Sequence, residues 1–248
     1  PSFVKDNTDV AGLPTDQGSL AVRSRPATSD APFTQQLRST GLGVLGKTTM
    51  PEFGWNASAE WATLPPTRNP WHTDHSAGGS SGGAAALVAS GVVTIAHAND
   101  GGGSIRIPAA ACGLVGLKPT RDRVVPAAEA ASMPVDVVSN GVVTRTVRDT
   151  AHFLAGTQQF RTPAALKPLG LVEGPSDRRL RIGLVLDSVT GSPTDDGCRA
   201  AVLATVERLT ALGHDVHEVP IPGDAVRFMH AFKHYWALLA FSTHHFGK

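Results

Sequence analysis

Short apolar runs alternate with helix-like stretches along this chain. The apolar runs predict buried strands at 43–48 and 92–96, and residues 1–10 predict a strand end followed by a loop. Closing glycines, alanine-rich composition and a threonine cap predict three helices, at 32–40, 83–90 and 146–155.

Two segments show no clear period. Residues 51–79 are rich in Trp, Pro and Asn, which predicts a long ordered loop, and long loops in compact domains are often functional. Residues 105–147 predict strand-like pieces that are broken by Pro and Gly.

The C-terminal part carries a strand–helix–strand pattern. A strand at 180–186, a helix at 195–212 and a strand at 215–220 form a β-α-β unit, which implies parallel pairing in a mixed α/β sheet. A last helix is predicted at 224–241, and His244-His245 after it predicts a surface tip.

Proline and glycine residues within 161–179 predict a linker. We therefore expect one partial domain over 1–248, with a core at 1–160 and an extension of the same domain at 180–248.

Composition adds limits on function. The net charge of +1 over 248 residues gives no electrostatic case for nucleic acid or an anionic membrane surface. No apolar run is long enough for a bilayer, and no signal peptide is visible. Two distant cysteines, Cys112 and Cys198, favour a reducing, cytoplasmic location. Because the chain opens on Pro1, we expect further sequence before it.

Two serines lie inside glycine-rich runs, twenty-four positions apart. Ser80 lies in AGGSSGGA at 77–84, and Ser104 ends the run GGGS at 101–104. Such runs let the backbone come close to a ligand, and a serine there has N–H groups around its hydroxyl. This pattern favours acyl transfer, which needs a nucleophile beside donors for an oxyanion.

Other chemistries fit less well. The chain has no phosphate-loop motif of either common kind, which weighs against nucleotide binding. Residues 78–82 match G-x-S-x-G, but a nucleophile elbow needs a strand before its serine, and 69–76 is polar and contains Pro70. The histidines and cysteines show no metal-ligand spacing, so no metal and no cofactor are expected.

Five segments together carry a family resemblance. They have the sequences VKDN, TRNPW, GGSSGGAAA, DGGGSIRIP and CGLVGLKPT, at 4–7, 67–71, 78–86, 100–108 and 112–120. With them the chain resembles the amidase signature family. The resemblance implies a mixed twisted β-sheet covered by helices on both faces. It also implies that the family fold is incomplete here and that the chain is truncated at both ends.

The resemblance further implies a Ser–cis-Ser–Lys triad. Ser104 would be the nucleophile, Ser80 the bridging serine on a cis peptide after Gly79, and Lys5 the base. A lysine can act as a base only when neutral, and burial away from water and near other cations favours that form.

The neighbouring residues have implied supporting roles. The backbone N–H groups of Gly101, Gly102, Gly103 and Ser104 would form the oxyanion hole. Ser81 would either support the triad by hydrogen bonding or cap a helix. Asp100 is expected to orient the glycine loop, and Arg106 to pair with a buried carboxylate.

These features predict an amidase that cleaves a linear or cyclic carboxamide to a carboxylate and an amine or ammonia. Residues 97–100 and 141–149 resemble the bacterial subgroup that includes 6-aminohexanoate cyclic-dimer hydrolase. Two alternatives stay open: an amidotransferase A-type subunit, whose pattern after the Lys-Pro-Thr segment differs from this chain, and a non-catalytic fragment. The expected partner is a small amide, and the resemblance allows a homodimer.

Overall fold

A computed structural model describes residues 1–61, 64–128, 130 and 133–246, with side chains described through Thr243. The predicted surface tip at His244-His245 lies outside the described side chains. The chain divides into two compact units, Pro1–Glu173 and Gly174–Lys248. The boundary between these units falls inside the segment 161–179, where the sequence predicts a linker.

The first unit holds most of the secondary structure. Its strands are β1 (Ser2–Lys5), β2 (Val44–Thr48), β3 (Arg68–Asn69), β4 (His72–Ser76), β5 (Ile95–Asp100), β6 (Val115–Gly116) and β7 (Ser139–Thr144). Its helices are α1 (Pro32–Ser39), α2 (Gly82–Ala89), α3 (Arg106–Ala111) and α4 (Val147–Phe160).

Strand pairing in the first unit is mixed. β1 pairs with β2 in parallel, whereas β5 pairs with β7, and β7 with β6, in antiparallel fashion. β3 and β4 form a separate antiparallel hairpin. The expected mixed α/β class is therefore confirmed, with the strands distributed over small hydrogen-bonded sheets.

Helices pack on both faces of the β5–β7 ladder. On one face, Ile95 and Val142 join a core to which α1 contributes Phe33 and α4 contributes Phe153. On the other face, Ala96, Ala98 and Val143 pack against α2 and α3. Successive strand residues point to opposite faces, and every residue of β5 and β7 is buried because helices cover both sides.

The second unit contains β8 (Arg181–Leu184), α5 (Asp196–Ala211), β9 (Asp215–Glu218) and α6 (Ala225–Phe246). β8 and β9 pair in parallel, which confirms the predicted β-α-β unit. The Asp195 carboxylate accepts the backbone N–H groups of Gly197 and Cys198 and so caps α5.

Three elements differ from the sequence prediction. The strand predicted at 92–96 begins only at Ile95, because the N–H groups of Val92 and Val93 donate to the Leu87 carbonyl in the turn after α2. The loop predicted at 51–79 contains the β3–β4 hairpin and a short 3-10 turn at Glu52–Gly54.

Residues 105–147, predicted as strand-like pieces, contain the strands β6 and β7 but also helix α3, which the sequence did not predict. Its proline, Pro108, lies in the first helical turn, where a missing N–H costs no intrahelical hydrogen bond. The predicted helix near 146–155 is present as α4 and is longer than predicted. Its cap is Thr146, whose hydroxyl accepts the Asp149 backbone N–H, as predicted.

In the described part of the chain, no helix is both long and apolar enough to cross a membrane. Within the same residues, no group of three or more His, Cys, Asp or Glu side chains could hold a metal ion.

Candidate active site

The amine of Lys5 lies at the centre of a buried polar cluster. Lys5 ends β1 and is only 1% exposed. Its Nζ lies 2.7 Å from Ser80 Oγ and donates to Asn99 Oδ1 at 2.6 Å. The fold therefore brings together three side chains that are separated by 75 and 94 positions in the sequence.

Ser80 reaches this cluster from a closely packed glycine run. The peptide bond between Gly79 and Ser80 is cis, as the family resemblance implies. A Cβ on Gly79 would lie 2.7 Å from the backbone N of Ser58, which is closer than real Cβ atoms come. Only glycine fits here, because the obstacle is backbone.

Ser81 directly precedes α2. In the described part of the chain its hydroxyl makes no capping bond with that helix. Instead, Ser81 Oγ donates to the backbone carbonyl of Asn99 at 3.4 Å. Of the two roles expected for Ser81, the contacts fit support of the cluster.

Asp100 and Arg106 form a bidentate ion pair. Arg106 Nε donates to Asp100 Oδ2 and Arg106 Nη2 to Oδ1, both at 2.9 Å. Asp100 also accepts the backbone N–H groups of Gly103, at 2.8 Å, and Ile105, at 3.2 Å. One carboxylate thus fixes the glycine loop and the start of α3.

This environment keeps Asp100 ionised. Burial opposes the charged form, but the hydrogen bonds and charge of Arg106 and the two backbone N–H groups outweigh it, so the pKa of Asp100 is lowered. The hydrogen bonds of Asp100 correspondingly raise the pKa of Arg106. The Asp100 side chain is fully buried, whereas that of Arg106 is 55% exposed.

Ser104 follows the glycine loop and is 9% exposed. Among the hydrogen bonds of the described residues, none joins Ser104 to Ser80. The expected oxyanion hole needs one correction, since the Gly103 N–H points at Asp100. The remaining candidate donors are the N–H groups of Gly101, Gly102 and Ser104.

Sequence reasoning missed His97. Its Nδ1 accepts the backbone N–H of Lys5 at 3.2 Å, which leaves the ring proton on Nε2, 3.2 Å from Asn140 Oδ1. Phe33 packs on the ring, with centroids 4.4 Å apart. Complete burial lowers the pKa of His97 to about 3, so the ring is neutral at ordinary pH.

The hydrogen bonds continue from His97 through the core. Asn140 Nδ2 donates to the Val125 carbonyl at 3.1 Å, and the Val125 N–H donates to Gln36 Oε1 at 2.8 Å. Gln36 Nε2 then donates to the carbonyl of Thr157 at 3.2 Å. This core network links the backbone of Lys5 to β5, β7, α1 and α4.

A cavity of about 400 Å³ lies beside β2. Its lining includes Asp6, Lys47, Met50 and Trp61. Lys47 Nζ lies 3.3 Å from Asp6 Oδ1, and burial lowers the pKa of Lys47 despite this carboxylate. The indole Nε1 of Trp61 donates to the Gly18 carbonyl at 2.8 Å.

Known proteins are similar to this chain in both sequence and fold. AmiC of Mycobacterium tuberculosis, which carries the name amidase, is 47% identical over the whole chain, and this match covers 52% of AmiC. A solved bacterial aryl acylamidase of the amidase signature family superposes with a TM-score of 0.83 at 30% identity, over 98% of this chain and 52% of that one. The solved structure of 6-aminohexanoate cyclic dimer hydrolase superposes with a TM-score of 0.76 at 35% identity, over 88% of this chain and 48% of that one.

The chain spans about half the length of the relatives that it matches. Within that span, the model of the Amidase family matches residues 1–246. The family resemblance drawn from the five sequence segments is thereby confirmed. The chain belongs to the Amidase family.

Proposed function

We propose that the protein hydrolyses the C–N bond of a small carboxamide through an acyl-enzyme on Ser104. The observation that carries this proposal is the buried contact between Lys5 Nζ and Ser80 Oγ, at 2.7 Å. It supplies what a serine nucleophile lacks, a base connected to a second hydroxyl. The match to the Amidase family supports the same chemistry.

The first half of the reaction forms an ester. Neutral Lys5 takes the proton of the Ser80 hydroxyl while Ser80 Oγ takes the proton of Ser104. Ser104 Oγ attacks the amide carbon, and the carbonyl electrons move onto oxygen. The C–N bond then breaks, and the leaving nitrogen receives a proton from Ser80, which Lys5 replaces.

The second half returns the enzyme to its starting state. Water attacks the ester carbon and passes a proton through Ser80 to Lys5. When the tetrahedral intermediate collapses, Ser104 Oγ leaves and recovers that proton. The products are a carboxylic acid and an amine or ammonia, and each proton is accounted for.

In both halves the carbonyl oxygen becomes an oxyanion. The proposed donors are the backbone N–H groups of Gly101, Gly102 and Ser104. Each donor of this kind contributes on the order of 10²–10³ in rate. Asp100 holds the loop that carries them, since it binds both the Gly103 N–H and the Arg106 side chain.

Covalent labelling tests the proposal. The full-length protein should react with a fluorophosphonate probe, and peptide mapping should place the adduct on Ser104. Ser104→Ala should remove the adduct, while Ser139→Ala, at a buried serine of β7, should keep it. A folded protein that stays unlabelled, or that labels equally without Ser104, would contradict the proposal.

Three finer points belong to the same proposal. The substrate is a linear or cyclic amide, which hydrolysis of 6-aminohexanoate cyclic dimer tests directly. The location is the bacterial cytoplasm, which fits two free cysteines, one buried and one exposed. The assembly is a homodimer, which light scattering coupled to size-exclusion chromatography tests.

A further inference from the structure

Asn99 faces the proposed base directly. It is 5% exposed, and its Oδ1 accepts a hydrogen from Lys5 Nζ at 2.6 Å. On its other side, the Asn99 backbone carbonyl accepts the Ser81 hydroxyl. Asn99 is placed beside the amine by strand β5, which pairs it with Asn140 of β7.

The chemistry of an amide oxygen suits this place. A neutral amine has two N–H bonds and one lone pair, and an amide oxygen can only accept a hydrogen bond. When Asn99 Oδ1 accepts one N–H, the amine is oriented so that its lone pair can face Ser80 Oγ, 2.7 Å away. A carboxylate here would take the same hydrogen but would also favour the ammonium form, which cannot accept a proton.

We propose that Asn99 is a positioning residue for Lys5, which orients the amine towards Ser80 while adding no negative charge beside it. The inference rests on the proposed function. It concerns how the Lys5 amine is kept neutral and oriented towards Ser80. It assigns a role to a side chain that the serine, lysine and glycine motifs do not include.

Other ionisable groups near Lys5 have partners of their own. β1 packs against β2, β5 and α2, and α2 has no ionisable side chain. β2 contributes Lys47, which pairs with Asp6. β5 contributes Asp100, which pairs with Arg106, and His97, which is neutral. Asn99→Asp would thus place a new negative charge in direct contact with the Lys5 amine.

The first measurement follows the Lys5 amine itself. Protein labelled with ¹³C-lysine gives a Cε resonance for Lys5, identified by its loss in Lys5→Met. In Asn99→Asp, the pH midpoint of that resonance should rise by about 1–3 units, the usual effect of an opposite charge in contact. In Asn56→Asp, a control at an exposed position, that midpoint should move by less than about half a unit, since exposed charges are screened.

The second measurement follows reactivity. The rate of fluorophosphonate labelling at Ser104 should show the same upward shift of its acid limb in Asn99→Asp, with a high-pH plateau within about tenfold of wild type. Asn99→Leu, which removes the acceptor, should lower the plateau by at least about tenfold, since a misdirected amine loses part of the roughly 10²–10⁴ that a positioned base contributes.

The two measurements separate the two ideas. An Asn99→Asp variant that is folded by circular dichroism but has an unshifted Lys5 midpoint overturns the role of Asn99, whatever its reactivity. A shifted midpoint in a protein whose wild type is not labelled supports the contact with Asn99 and overturns the proposed function instead.

Discussion

His97 Nδ1 accepts the backbone N–H of Lys5, so a neutral imidazole holds the strand residue that carries the proposed base. The ring is fully buried and its pKa is lowered to about 3. A protonated ring could not accept this hydrogen, and its charge would lie in the core. The position of Lys5 therefore depends on a histidine that stays uncharged.

This dependence predicts an acid-sensitive fold. Below about pH 6.5 the unfolded chain protonates His97 and the folded chain does not, so stability falls as pH falls, by as much as about 1.4 kcal/mol per pH unit. Urea unfolding at pH 7.5, 6.5 and 5.5 measures this slope. His97→Gln, which can still accept from Lys5 and donate to Asn140, should be less sensitive to pH over the same range. Equal slopes would contradict the prediction.

Removal of the Lys5 amine should greatly slow the reaction of Ser104 with a fluorophosphonate. We expect Lys5→Met to slow fluorophosphonate labelling of Ser104 by about 10²–10⁴, the usual contribution of a positioned base, and to remove its acid limb. Lys167→Met changes an exposed lysine in the same way and should label like wild type. Rapid labelling of Lys5→Met with an unchanged pH profile would show that another group is the base.

The pair of Asp100 and Arg106 predicts a pH-dependent stability difference. Arg106→Ala leaves a buried carboxylate without its cation, at a cost of about 2–3 kcal/mol at pH 7; the half-exposed guanidinium keeps this below the full cost for a buried pair. Because the pKa of Asp100 is lowered in the folded state, the pair stabilises above the unfolded value of 3.8 and the benefit is lost as pH falls.

The loss in free energy of unfolding caused by Arg106→Ala should therefore be largest near pH 7 and smaller at pH 3.5, as measured by chemical denaturation. Arg148→Ala, at an exposed position of α4, is the matched control and should stay within about 0.5 kcal/mol of wild type. A deficit that does not change with pH would argue that Arg106 acts through packing alone.

Close packing at Gly79 predicts a clear difference between two glycine substitutions. Gly79→Ala places a methyl group against the Ser58 backbone and should lower the free energy of unfolding by about 1–3 kcal/mol. Gly43→Ala meets nothing within 4 Å and should be neutral or stabilising by up to about 1 kcal/mol. Thermal unfolding of both variants makes the comparison, and equal melting temperatures would contradict it.

Local sequence signals predicted much of the first unit. The Thr146 cap and the closing glycines identify helices because they act within a few residues. α3 was missed since Pro108 suggested a break, although a proline in the first helical turn is compatible with a helix.

The partners of Lys5 show where sequence reasoning ends. The serines stand out because glycines surround them, but His97 and Asn99 have no such local mark. Their roles arise from contacts with a residue 92 and 94 positions away. Only the folded chain shows that one histidine and one amide in β5 meet the amine and backbone of β1.

The core network from Lys5 to Thr157 has a direction. Each side chain in it accepts on one side and donates on the other, from the Lys5 N–H through His97 and Asn140 to the Val125 carbonyl, and from the Val125 N–H through Gln36. A replacement of the right size but the opposite order of donor and acceptor would force two like groups together. Substitutions at these positions are therefore constrained by polarity as well as by volume, and a compensating substitution must reverse the donor and acceptor order of the neighbouring side chains together.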